Sequence, residues 1–97
     1  MMSISNEFKG MMLTMRLNYL CEKSKEIGKN IGDLPIIFFP KEQKELIELA
    51  EEEYELAVEL YNLYIDNAEF SRAALVLQSE ESIEESLFLL KKPVYML

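Results

Sequence analysis

Apolar residues recur along this chain at intervals of three and four positions rather than at every second one, which is the rhythm of helices. The middle stretch is the most regular. Ile47, Ala50, Tyr54, Ala57, Tyr61 and Tyr64 keep a 3,4,3,4,3 spacing, and a second seam one residue earlier holds Leu46, Leu49, Glu53, Leu56, Leu60 and Leu63. Together the seams form one wide apolar face broken only by Glu53. Glu48, Glu52, Glu55, Glu59, Asn62 and Asp66 recur on the opposite side, which predicts an amphipathic helix over 41–65. Pro40 stands at its entrance, where a fixed φ suits a first turn.

Two flanking segments follow the same period. Over 5–27, Phe8, Met11, Met12, Met15, Tyr19 and Leu20 make a stripe that Leu13, Leu17 and Cys21 widen, with Gly28 as the expected stop. Over 68–91 the stripe is Phe70, Ala73, Ala74 and Leu77, then Ile83, Leu87 and Leu90, ended by Pro93. The polar run from Gln78 to Ser82 interrupts it, so this segment is one helix or breaks into two near Ser79–Ser82. Asp66 with Glu69, and Ser82 with Glu85, have capping-box spacing. Residues 34–40 carry Pro35 and Pro40 around Ile36, Ile37, Phe38 and Phe39, and predict an extended connector laid over the bundle, or an arm or strand that meets a second chain. A short apolar tail occupies 93–97. The expected fold is all-α: one domain, a small bundle of three long helices, or four where the third breaks.

Composition narrows the chemistry. The 97 residues are 49% hydrophobic and 29% charged, enough for one core. The absence of His and the single Cys remove Ser-His-Asp and Cys-His nucleophilic pairs, Cys/His zinc sites and paired-Cys redox centres. Gly10, Gly28 and Gly32 fit neither a phosphate loop nor a dinucleotide fingerprint, so no cofactor is expected. Cys21 has no second cysteine and suits a reducing compartment. Arg16 interrupts the apolar run near the N-terminus and Leu20 is too large for a cleavage site, which argues against an export signal. No run approaches the ~18 apolar residues of a membrane span. These features together predict a cytoplasmic protein without membrane contact.

The formal charge of −8 disfavours direct nucleic-acid binding. It is also uneven: residues 41–66 hold two Lys against nine acids, whereas residues 1–40 carry five positive and four negative side chains. Glu48, Glu52, Glu55 and Glu59 are therefore candidates for an acidic docking face that steers a basic partner or imitates a phosphate rail, against the plainer reading of a solvated outer face.

Two resemblances rest on particular residues. Glu-x-x-Glu spacing at Glu48/Glu51, Glu52/Glu55 and Glu81/Glu84, with the run Glu80 to Leu90, resembles the all-helical nucleotide pyrophosphohydrolases, in which a Glu-x-x-Glu helix faces a Glu-x-x-Asp helix. That likeness implies carboxylates holding Mg²⁺ with a nucleotide's phosphates. The chain departs from it where Ser82 stands in place of a required Glu once Glu85 is set at the Asp position. Residues 54–87 resemble one tetratricopeptide unit through Ala57, Leu60, Tyr64, Ala68, Phe70, Ala73 and Leu77, but no second copy follows and Tyr61 replaces a small residue. The likeness implies a helical hairpin turning at Asp66–Asn67.

Contacts with other chains are the remaining expectation. Met11, Met12 and Met15 are adaptable apolar contacts, and with Ile36, Ile37, Phe38 and Phe39 they are the candidate oligomer or partner surface. Tyr54, Tyr61 and Tyr64 share a seam and want partners for their hydroxyls. The expected function is a small acidic, non-enzymatic interaction or regulatory protein acting as a homodimer and binding another protein. A metal-dependent nucleotide hydrolase and an acidic DNA-mimic inhibitor are the alternatives.

Overall fold

The computed structural model describes the backbone of residues 2–91 and the side chains of residues 7–36 and 38–91. Three α-helices, α1 (Met2–Ile31), α2 (Pro40–Asp66) and α3 (Phe70–Lys91), are joined by a 3₁₀ turn at Ile36–Phe38 and a tight corner, with no strand among the described residues. The all-α bundle is thus three helices. The third is continuous: the polar run from Gln78 to Ser82 contains neither Gly nor Pro, so nothing in it breaks the backbone ladder, and Ser82 is mid-helix rather than a cap.

The ends are set by backbone chemistry. α1 runs through Gly28, the expected stop, and ends at Ile31, where Gly32 adopts φ +69° and donates its N–H to the Gly28 carbonyl at 3.1 Å. This is the left-handed cap that glycine adopts without steric cost. The connector is less extended than expected. Phe38 and Phe39 donate to the carbonyls of Pro35 (3.1 Å) and Ile36 (2.8 Å), closing the 3₁₀ turn. Pro40 then opens α2, and Gln43 donates to the Phe39 carbonyl at 2.8 Å as the first bond of the helix.

The corner between α2 and α3 is a Schellman turn. Glu69 donates to the Tyr64 carbonyl (2.8 Å) and Ala68 to that of Ile65 (3.0 Å), with Ala68 at φ +57°. Asn67 donates both its backbone N–H (3.1 Å) and its side-chain Nδ2 (2.9 Å) to the Leu63 carbonyl. Asp66 closes α2 instead of capping α3, and Glu69 pairs with Arg72 at 3.3 Å, so the expected capping box is absent.

α2 is the spine. It packs against α1 on one flank and α3 on the other, while α1 and α3 barely meet. Its small residues decide the spacing: Ala50 and Ala57 are buried on α2 and Ala73 on α3, which lets the backbones approach. On the other flank, a Cβ at Gly10 would lie 3.3 Å from Leu63 Cδ2. Leu13, Leu60 and Leu63 form the central cluster, with Leu17, Leu56, Tyr64 and Val76 packed around it. The molecule is elongated, 51 × 23 × 17 Å.

Candidate functional site

Two neighbours on one face of α2 leave a crevice wherever they fail to touch. Leu17 of α1 and Val76 of α3 rest on the central leucine cluster, and cavities lie along the helices on either side of them. The cavity toward the α2–α3 corner has a volume of about 710 Å³ and is lined by Gly10, Thr14, Leu63, Asn67 and Arg72 among others. The other cavity has a volume of about 420 Å³ and includes Glu53 in its lining.

Glu53 is the one charged side chain buried among the described residues, at 8% exposure. It belongs to the Leu46–Leu63 seam, and α2 aims that seam between its two neighbours. Ser24 Oγ on α1 donates to Glu53 Oε1 at 3.0 Å, and the Cys21 thiol lies 4.0 Å from Oε2. No Lys or Arg pairs with it among the described residues. Burial raises its carboxyl above the ordinary range, and the Ser24 hydrogen bond partly opposes that shift. Burial and the Glu53 charge likewise raise the Cys21 thiol. From α3, Ser82 and Ser86 line the same crevice, beside Leu89 and Leu90.

The serines were not anticipated from the sequence, although the signal exists. Ser24 continues the inward series Leu13, Leu17 and Leu20 at the same 4,3,4 spacing, and Ser82 and Ser86 are one turn apart. An acid in an apolar seam with hydroxyls in register on both neighbouring helices marks the site. Only the pairing of helices brings the three serines together.

The candidate acidic face is partly closed by α1. Arg16 meets Glu52 Oε1 at 2.6 Å and Lys9 meets Glu59 at 3.1 Å, because the cationic edge of α1 runs beside that side of α2. Glu48 and Glu55 stay exposed and have no ion-pair partner among the described residues, and Glu51 reaches Lys91 at 3.6 Å. The Glu-x-x-Glu pairs find no third ligand: among the described residues no three Cys, Asp or Glu side chains converge as a metal centre requires.

Tyr54 donates its hydroxyl to Glu84 Oε1 at 3.2 Å, and the Glu84 charge raises the phenol above its ordinary value. Nearby, Glu80 buries Oε1 without a hydrogen-bond partner among the described residues, and burial together with Glu84 and Glu81 raises its carboxyl.

The candidate contact residues divide. Met11, Met12 and Met15 are 52–62% exposed and continue with Phe8 and Tyr19 into one solvent-facing apolar stripe. Helical geometry sets this stripe opposite Leu13, Leu17 and Leu20, which face α2. In the connector Phe38 is exposed, whereas Ile36 and Phe39 are half-buried. The side chain of Ile37 and the tail 93–97 lie outside the described residues. No described helix is long and apolar enough to cross a membrane. Comparison of the chain with protein-family models found no match, and comparisons with curated proteins and with solved structures found none either.

Proposed function

We propose that this protein is a small acidic, non-enzymatic interaction or regulatory protein that acts in the cytoplasm as a helical homodimer and binds a further protein. The observation that carries this reading is the second apolar stripe of α1. Phe8, Met11, Met12, Met15 and Tyr19 lie at i, i+3, i+4, i+7 and i+11, each at least half exposed. A contiguous apolar face of this kind on a small domain marks an association surface, and methionines let it fit more than one partner. A lone cysteine with no second to pair with supports the cytoplasmic placement.

The acidic-inhibitor reading ranks below it, because Glu52 and Glu59 are already paired within the chain and Glu48 and Glu55 alone remain. Light scattering on a size-exclusion column tests the proposal. We expect a species of twice the 11.3 kDa chain mass that becomes monomeric in Met12→Lys/Met15→Lys, with helicity unchanged by circular dichroism. A wild-type monomer at all concentrations refutes the dimer.

A further inference from the structure

A carboxylate removed from water is destabilising unless a cation or several donors compensate it. Glu53 is buried, with 8% of its surface exposed, and among the described residues has one close donor, the Ser24 hydroxyl on Oε1. Among the described residues its second oxygen, Oε2, has only the Cys21 thiol, at 4.0 Å. Of the two lysines that flank Ser24, Lys25 pairs with Glu22 at 3.9 Å and Lys23 lies over the Tyr19 ring at 5.4 Å. Glu53 and its donor Ser24 both line the crevice.

The crevice has the dimensions of a small-molecule site. Its volume of about 420 Å³ falls in the range of ligand pockets, ~300–1,000 Å³. Its wall is apolar apart from Glu53 and the three serines, with Leu46 from α2 and Leu89 and Leu90 from α3. A compact cation with an apolar body matches both the charge and the wall.

We propose that the crevice between α1 and α3 binds a small molecule carrying a protonated amine on an apolar body, with the ammonium against the Glu53 carboxylate and the body against Leu46, Leu89 and Leu90. Ser82 and Ser86 offer hydroxyl oxygens to the remaining ammonium N–H groups, and Ser24 holds the carboxylate in place through Oε1. This site is independent of the α1 stripe, and neither depends on the other.

The test uses the full chain, n-hexylammonium as probe and n-hexanol as its neutral counterpart, followed by amide shifts in ¹H–¹⁵N correlation spectra. We expect saturable shifts centred on residues 24, 53, 82 and 86. Affinity falls at least tenfold for hexanol and for Glu53→Gln. It falls similarly for Ser86→Phe, which fills the mouth from an exposed position and leaves the carboxylate intact. Should Glu53→Gln fail to fold, the hexanol comparison and Ser86→Phe decide the matter. Three results overturn the proposal: equal binding of amine and alcohol, shifts as large at the outward Glu48 and Glu55 as in the crevice, or shifts at the crevice that follow protein concentration without ligand. The last would mean that a second copy occupies it.

Discussion

α1 and α2 are of similar length and both are rich in apolar side chains, yet they use them differently. α2 has one apolar face, and its two neighbours cover it from either side, leaving acids toward solvent. α1 has two apolar faces. Leu13, Leu17 and Leu20 seat on α2, whereas Phe8, Met11, Met12, Met15 and Tyr19 keep at least half of their surface exposed. An apolar stripe therefore reports that something must cover it, without saying whether the cover comes from the same chain.

The sharpest break of this comparison sets two residues of α1 against each other. Leu20, 1% exposed, faces α2, and Leu20→Ala is expected to cost about 3 kcal/mol, the usual range for a buried leucine. Met15→Ala, five residues earlier on the free face, is expected to cost less than about 0.5 kcal/mol when the chain is dilute enough to be monomeric. Urea denaturation of both variants checks the contrast, and equal losses would mean that the outer stripe is part of the folding core.

The corner between the helices gives the next largest effect. Ala68 holds a left-handed φ that a Cβ disfavours by about 1 kcal/mol, and Gly32 at the equivalent cap of α1 avoids that strain. Ala68→Gly is accordingly expected to stabilise the chain by about 0.5–1 kcal/mol despite glycine's greater freedom when unfolded. A lower melting temperature in this variant would contradict the strain.

Acidity probes the buried seam of α2. The folded-state carboxyl of Glu53 titrates above its unfolded value, so between those two values the native state holds the proton more firmly. Its contribution is neutral below about pH 4.5 and becomes destabilising as pH rises through the folded value. Glu53→Gln is expected to remove this decline and to gain stability relative to wild type as pH goes from 4.5 toward 8. Denaturation midpoints of both proteins across that range decide the point, and parallel curves would show that the carboxyl is solvated.

The smallest effect concerns the ridge where the two helices adjoin. Arg16 and Glu52 are each nearly half exposed, so a double-mutant cycle is expected to give a coupling of about 0.5 kcal/mol that fades with salt. A coupling several times larger would make the pair a structural clamp.

Much of this architecture was legible in the chain. α2 was read nearly to its ends because a single apolar face and a single acidic one make an unambiguous pattern. α1 was harder. Its two stripes lie on opposite sides of a helical projection, and period alone does not say which of them meets a neighbour; Gly28 has the chemistry of a stop, although the backbone carries it in regular helix and turns at Gly32. The candidate site was half visible: Glu53 stood out as an acid in an apolar seam, but Ser24, Ser82 and Ser86 are ordinary helix residues until their helices are paired.

Local pattern by itself determined that the chain is helical, where α2 begins, and that acids line one side of it. These are properties of period and of proline and glycine, which act within a few residues. The tertiary structure alone decided which stripe of α1 meets α2, which acids Arg16 and Lys9 neutralise, and that Glu53 opens into a serine-edged crevice. Those outcomes depend on the rotation and spacing of helices about α2, which Gly10, Ala50, Ala57 and Ala73 set by letting backbones come close. No single segment carries that information.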